Sequence, residues 1–324
     1  MKGNDMTTTK TKDAISVKGL RKSYGDKLVL DGIDLKVPEG SVFALLGPNG
    51  AGKTTIVQIL STLISFDEGQ IAVGGHDLAT SPDGVRTAIG VTGQFSAIDN
   101  LLTGEENLKL MADLHHLSKE EGRDRVAELL QRFDLVEAAG DTPATYSGGM
   151  QRRLDLAMGL MGSPSVVFLD EPTTGLDPRG RHTVWESIRR LASENVTIFL
   201  TTQYLEEADR LADRIALLDD GKLVAEGTPT ELKRLVSGGH ISLRFNDPAQ
   251  LETAAQALGT MGRDDEQLTL DIPADGGVAS IRSVLDRLDQ NEIEVDSLTV
   301  HTPDLDDVFF ALTGRAATEE RSAS

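Results

Sequence analysis

The segment Gly47-Pro48-Asn49-Gly50-Ala51-Gly52-Lys53-Thr54 constrains this chain more than any other feature. It fits the pattern G-x-x-x-x-G-K-[ST], in which glycines let successive backbone N–H groups turn toward phosphate oxygens. In that pattern Lys53 reaches the β and γ phosphates, and the Thr54 hydroxyl suits Mg²⁺. An apolar run of the buried-strand type precedes the loop and a helix is predicted over 53–63, so the loop lies at an anion-favouring helix N-terminus. The segment therefore predicts a nucleotide phosphate site, which also takes in Thr55, rather than a glycine-rich turn without a ligand.

The charge balance narrows the classes of partner. Lys and Arg number 32 and Asp and Glu 52, which gives a formal net charge of −20. This excess opposes nucleic-acid binding and charge-driven adhesion to an anionic lipid surface. The absence of cysteine excludes disulfides and thiolate metal sites. No apolar run approaches the ~18 residues of a membrane-spanning helix, so any membrane association is expected to run through a protein partner.

Strand and helix patterns alternate along most of the chain and predict an α/β fold with a largely parallel sheet covered on both faces. Residues 14–237 form the predicted main domain, with a helical subdomain at about 95–162. A break at Ser237-Gly238-Gly239 separates it from a small α+β domain over 240–314. Residues 1–13 and 315–324 are polar and are predicted to be disordered tails. For the small domain we expect packing or dimerisation, with a regulatory ligand site as the alternative.

Two carboxylates follow the apolar strand predicted at 166–169. In an open α/β sheet, ligands collect at the carboxyl ends of the strands. Asp170 and Glu171 should therefore face the phosphate loop, where Asp170 can bind Mg²⁺ and Glu171 can polarise the attacking water. A strand that simply ends in solvated acids is the alternative, which the nearby phosphate loop disfavours.

The segment Tyr146-Ser147-Gly148-Gly149-Met150 is a second predicted anion-binding helix start. A single phosphate loop does not need one, and with this segment the chain resembles the ATP-binding subunits of ABC transporters. The resemblance covers about 15–235 and rests on ordered motifs. These are the phosphate loop, Gln94, Ser147-Gly148-Gly149, Asp170-Glu171 and Gly175-Leu176-Asp177. The Tyr and Met of the signature, with Leu305-Asp306-Asp307-Val308-Phe309 near the end, resemble the daunorubicin/doxorubicin-resistance type of drug exporter.

The resemblance implies a P-loop NTPase fold of the ABC type, with a mixed sheet core, that hydrolyses ATP with Mg²⁺. It implies a head-to-tail homodimer in which Ser147, Gly148 and Gly149 of one copy contact the nucleotide held by Lys53 and Thr54 of the other. Asp177 would cross the dimer and order the facing site. The resemblance also implies a separately encoded integral membrane permease, no nucleic-acid partner, and a peripheral location at the cytoplasmic face of the plasma membrane.

Two further residues take roles from the resemblance. Tyr24 would stack on adenine, with an ordinary surface tyrosine as the alternative. Gln94 would touch Mg²⁺ or the attacking water, and the following loop, Phe95 to Leu101, would carry the message to the membrane partner.

The chain departs from the family pattern at Gln203, where a switch histidine is usual. Glutamine can still donate an N–H to the γ phosphate but cannot become charged. The loss of a charge-assisted hydrogen bond is worth ~1 kcal/mol, nearly tenfold in rate. We therefore expect Gln203 to slow hydrolysis without abolishing it, since Glu171 and Lys53 are intact, and the drug-exporter subgroup also tends to carry glutamine here.

These residues are compatible with three functions. The first is an ATPase that powers export of a hydrophobic drug or lipophile. The second is a soluble ABC-type ATPase acting on ribosomes or DNA, against which the acidic balance and the lack of a tandem nucleotide domain argue. The third is a nucleotide-sensing module with little turnover, for which Gln203 is the motive.

Overall fold

The computed structural model describes residues 12–93, 97–236, 239–274 and 277–313. The chain divides into two compact units between Pro229 and Thr230. This division comes earlier than the predicted break, whose Ser237 and Gly238 lie outside the described residues. At the other end, Asp13, assigned above to the tail, begins the first strand.

The elements of the first unit, in chain order, are β1 (Asp13–Tyr24), β2 (Lys27–Pro38), β3 (Val42–Leu46), α1 (Lys53–Leu60), β4 (Glu68–Val73), β5 (His76–Asp77), α2 (Pro82–Ala88), β6 (Ile89–Thr92), α3 (Gly104–Leu114), α4 (Lys119–Arg132), α5 (Gly148–Gly159), β7 (Val166–Asp170), α6 (Pro178–Ser193), β8 (Thr197–Thr202), α7 (Leu205–Leu211), β9 (Arg214–Asp219) and β10 (Lys222–Gly227). A short 3₁₀ turn, Pro143–Thr145, precedes α5. A further short helix, α8 (Pro229–Lys233), follows β10 and spans the division between the units.

A six-stranded sheet in the order β10-β9-β3-β8-β7-β6 carries the site. Its strands from β9 to β6 pair in parallel, and β10 joins antiparallel. Every residue of β3, β7 and β8 is buried, as continuous apolar runs covered on both faces require. Because β3, β8 and β7 are neighbours and parallel, their carboxyl ends meet at one edge of the sheet.

A second sheet, in the order β2-β1-β4-β5, is antiparallel. The main apolar core contains residues of β1, β2 and β4, of α1, and of β3, β7, β8 and β9. The mixed sheet core of the predicted fold class is confirmed. The separate antiparallel sheet was not predicted, because the alternation in β1 and β2 indicates strands without naming their partners.

Within the predicted helical subdomain, the stretch over 104–135 contains two helices, α3 and α4. The hydroxyls of Thr103 and Ser118 cap α3 and α4 by accepting the backbone N–H groups of Glu106 and Glu121. The carboxylates of these two glutamates in turn accept the backbone N–H groups of the cap residues. These capping boxes fix where α3 and α4 begin. His116, with a φ of 56°, lies in the connection between them.

The second unit contains β11 (His240–Arg244), α9 (Pro248–Leu258), β12 (Gly262–Asp264), β13 (Thr269–Pro273), α10 (Val278–Gln290), β14 (Ser297–His301) and α11 (Leu305–Thr313). Its antiparallel sheet has the order β12-β13-β11-β14, which is the split βαβ arrangement of ferredoxin-like folds. Its own apolar core contains residues of the sheet, α9 and α10. Across the described ranges, no helix is both long enough and apolar enough to cross a bilayer.

Candidate functional site

The phosphate loop follows β3 and leads into α1. Gly47 has no room for a side chain, because a Cβ there would lie 2.3 Å from the backbone oxygen of Leu218. Gly52 has a φ of +111° and occupies the N-cap position of α1. The first turn of α1 has no acidic residue and its N-cap makes no side-chain hydrogen bond. The unpaired N–H groups and the helix dipole therefore favour an anion at this loop.

Lys53 is buried at the base of the loop, with 4% of its surface exposed. Its ammonium donates to the carbonyl oxygens of Gly47 at 2.8 Å and Pro48 at 3.2 Å. It also lies 3.5 Å from a carboxylate oxygen of Glu171. Burial lowers the pKa of Lys53, and the charges of Glu171 and Asp170 act in the opposite direction.

Oxygen atoms from three elements converge at Asp170. Its Oδ1 accepts a hydrogen bond from the Thr201 hydroxyl at 2.5 Å, and the Thr54 hydroxyl lies 3.4 Å away. Asp170 ends β7, Thr201 lies near the end of β8, and Thr54 belongs to α1. Hard oxygen ligands of this kind, next to a phosphate loop, are those that Mg²⁺ prefers. The residues therefore fit the ion.

Glu171 follows β7 in a strained conformation, with a φ of 49°. Its backbone N–H donates to the carbonyl and the hydroxyl of Thr201, both at 3.1 Å. Its carboxylate contacts Lys53 and accepts from the Thr174 hydroxyl at 3.3 Å. The turn thus directs the carboxylate toward the phosphate loop.

Three further site residues were predicted, namely Gln203, Tyr24 and Gln94. The first two lie in the described chain. Gln203 comes directly after β8 and is half-buried. Tyr24 ends β1 and is 50% exposed, with the Lys22 ammonium 5.4 Å from its ring centroid, and its stacking on adenine stays a prediction. Gln94 lies outside the described residues, as do the first two residues of the predicted message loop.

The signature residues lie in another cleft, of about 590 Å³. Ser147 caps α5 by accepting from the Met150 N–H at 3.3 Å. Asp177 caps α6 by accepting from the Gly180 N–H at 2.8 Å. Ser147, Gly148, Gly149 and Asp177 all line this cleft, and no residue of 47–55 is among its lining. The predicted contacts of the signature are thus apart from those of the phosphate loop, while Gly148 also lines a smaller pocket with Glu171.

Thr201, which binds the Asp170 carboxylate and the Glu171 backbone N–H, was not predicted. A threonine at the end of a buried strand, two residues before Gln203, is the signal that could have indicated it. Arg152 was not predicted either.

A phosphate loop between a parallel strand and a helix, with acids at the end of a neighbouring strand, defines a P-loop nucleotide-binding protein. The sequence model of the ABC transporter family matches residues 30–174. The chain is 48% identical to the daunorubicin resistance ATP-binding protein DrrA3 of Streptomyces coeruleorubidus, over 93% of this chain and 96% of that protein. It is 44% identical to the daunorubicin/doxorubicin resistance ATP-binding protein DrrA of Streptomyces peucetius, over 98% of this chain and 97% of that protein.

Two solved structures are similar to this one. The ATP-binding subunit of an ABC transporter superposes with a TM-score of 0.61 at 31% identity, over 68% of this chain and 92% of that chain. A dimeric ATP-binding cassette in a post-hydrolysis state, bound to ADP and Pi, superposes with a TM-score of 0.59 at 27% identity, over 66% of this chain and 98% of that chain.

The chain belongs to the ABC transporter family. It is an ATP-binding subunit of that family and an ATPase, and the predicted fold class and family are confirmed. These relatives do not favour the alternative of a soluble ATPase acting on ribosomes or DNA.

Proposed function

We propose that this chain hydrolyses Mg²⁺-bound ATP in sites shared between two copies and thereby powers export of a hydrophobic drug or lipophile. The observation that carries the proposal is the contact of Lys53 with Glu171, 3.5 Å apart, beside Asp170 and the phosphate loop. Phosphoryl transfer requires little more than positioning and neutralisation of charge. This constellation offers both.

Each residue of the constellation has a role in the proposal. The loop 47–55 cradles the phosphates through its N–H groups, and Lys53 neutralises charge on the β and γ oxygens. The phosphates replace the loop carbonyls and Glu171 as partners of the Lys53 ammonium. Glu171, once released, accepts a proton from the attacking water.

Thr54 and Asp170 would hold Mg²⁺, with Gln94 as the further predicted ligand. The bound ion supplies neutralisation of the developing phosphate charge. Thr201 orients the Asp170 carboxylate through the 2.5 Å hydrogen bond. Gln203 donates a neutral hydrogen bond to the γ phosphate, and Tyr24 stacks on the adenine.

The separation of the two residue groups supports a head-to-tail dimer. Ser147, Gly148, Gly149 and Asp177 are placed to contact a nucleotide held by the partner copy. Two identical interfaces of this kind close a symmetric pair. ATP then acts as the ligand that joins the copies, and hydrolysis separates them.

The names of the relatives support drug export. The export route is assigned to a separate integral membrane permease, as the resemblance to ATP-binding subunits of transporters implies. We place the dimer on it at the cytoplasmic face of the plasma membrane. Purification of the tagged chain from detergent-solubilised membranes is expected to recover one integral membrane protein. Recovery of ribosomes instead would contradict this assignment.

The relatives do not favour the alternative of a nucleotide-sensing module with little turnover, for which Gln203 was the motive. Steady-state release of phosphate from ATP distinguishes the two. We expect release above background in the parent chain and its loss in Lys53→Ala. Stoichiometric binding of ATP with no release by the parent chain would favour the sensor.

A further inference from the structure

Arg152 binds backbone carbonyls on both sides of Glu171. It lies on α5, the helix that begins beside Ser147, and only 12% of its side chain is exposed. Its Nε donates to the Pro172 oxygen at 2.9 Å, and a terminal nitrogen reaches the Asp170 oxygen at 3.4 Å. One planar guanidinium thus holds the backbone before and after the proposed base.

The same guanidinium also binds the end of β6. Its other terminal nitrogen donates to the Gly93 carbonyl at 3.2 Å and to the carboxylate of Asp155 at 2.8 Å. Asp155, with 5% of its side chain exposed, accepts the backbone N–H of Ala97 in turn. Gly93 and Ala97 lie on either side of positions 94–96, which are outside the described residues.

Burying this pair has an electrostatic cost. Burial lowers the pKa of Arg152 and raises the pKa of Asp155, so in each group it works against the charged form. A buried ion pair contributes little to stability compared with apolar side chains of similar volume. Its advantage is direction, since the guanidinium donates along fixed axes to several acceptors at once.

We propose that Arg152 and Asp155 are positioning residues that couple the two ATP sites of the dimer. The inference rests on the sandwich arrangement proposed above, in which Ser147 contacts the nucleotide of the partner copy. Arg152 is on the same rigid helix and grips the segment of Glu171, which acts on the nucleotide of its own copy. A displacement of α5 caused by one nucleotide is therefore passed to the base at the other.

The test is Arg152→Lys, which keeps the charge beside Asp155 but removes the forked donors. We expect kcat for ATP to fall ~10-fold or more, since hydrogen bonds from a charged donor to the Glu171 segment are lost. Nucleotide affinity, measured with a fluorescent ATP analogue, should stay within about twofold because the phosphate loop is untouched. The Hill coefficient for ATP should fall below that of the parent, as loss of coupling between the sites requires, and the remainder comes from ATP-driven dimerisation.

Arg125→Lys is the matched control. Arg125 is similarly buried and binds a carboxylate, Glu128 at 2.8 Å, and a carbonyl, Leu160 at 2.6 Å, but it contacts none of the catalytic segments. We expect this control to keep the parent kcat and Hill coefficient. Asp155→Asn, which preserves size, should reduce the Hill coefficient in the same direction and serves if Arg152→Lys does not fold.

A Hill coefficient equal to that of a cooperative parent in both Arg152→Lys and Asp155→Asn would overturn the coupling role and leave the proposed function intact. Equal loss in the Arg125→Lys control would also overturn it, because any buried arginine would then suffice. A parent that neither dimerises with ATP nor shows cooperativity would instead contradict the shared sites themselves.

Discussion

At the scale of single residues, the phosphate loop has no room for a side chain at Gly47. Its backbone has no left-handed φ that would favour glycine, yet a Cβ would lie 2.3 Å from the Leu218 oxygen. That contact is with backbone, which cannot turn aside as the end of a flexible side chain can. The requirement for glycine here is therefore steric.

For Gly47→Ala we expect ATP affinity to fall at least ~10-fold, because the displaced loop no longer directs its N–H groups at the phosphates. Gly140→Ala is the control, since a Cβ there meets nothing within 4 Å. Equilibrium binding of a fluorescent ATP analogue measures both. Equal affinity of the two variants would contradict the steric account.

A second prediction at this scale concerns Gln203. Gln203→His restores a side chain that can carry a charge near the γ phosphate, so we expect kcat to rise by up to ~10-fold. The gain should grow as the pH falls from 8 toward 6, because imidazole becomes protonated in that range. Gln203→Ala, which donates nothing, should lower kcat. Steady-state phosphate release at several pH values checks this. A kcat of Gln203→His that stays at or below that of the parent at every pH would refute it.

At the scale of elements, a buried carboxylate joins helices α6 and α7 to the segment after β7. Glu207 of α7 is fully buried and accepts from the Thr173 hydroxyl at 2.8 Å and from the Trp185 indole at 3.0 Å. Burial raises its pKa above the ordinary 4.5, while the hydrogen bonds and the charge of Arg152 oppose the shift.

A raised pKa in the folded state means that the native chain binds more protons than the unfolded chain above pH 4.5. The stability contributed by neutral Glu207 is therefore full below that pH and is lost as the pH rises through the raised pKa. We expect Glu207→Gln, neutral at every pH, to lose less free energy of unfolding between pH 5 and 8 than the parent. Urea denaturation across this range measures the slopes. Parallel slopes would contradict the assignment.

The elements also show what a sequence can predict. The buried strands β3, β7 and β8 each contain at least three consecutive apolar residues, and the hairpin of β9 and β10 has an Asp-Gly turn, so each has a local signal. Because parallel strands bring their carboxyl ends together, the meeting of the loop with Asp170 and Glu171 was predictable. The contacts of Arg152 were not. Apart from the ion pair with Asp155, three residues away, they end on backbone carbonyls of segments far apart in the chain, and carbonyls have no signature in the sequence.

At the scale of the whole molecule, the roles of the site residues stay predictions until a dimer is observed. The signature helix start and Asp177 line a cleft to which no residue of the phosphate loop contributes. The second unit has its own core, and its role stays a prediction of packing or dimerisation.

The most direct measurement is the mass of Glu171→Gln in solution, by sedimentation with ATP and Mg²⁺. Without the base, hydrolysis stops while the contacts of Lys53 with the phosphates persist. A long-lived dimer should therefore accumulate with ATP. ADP should leave monomers, and adding Ser147→Arg to the variant should prevent the dimer without weakening binding of ATP to the monomer. A monomer at saturating ATP, or a dimer that forms equally well with Ser147→Arg, would contradict the shared site.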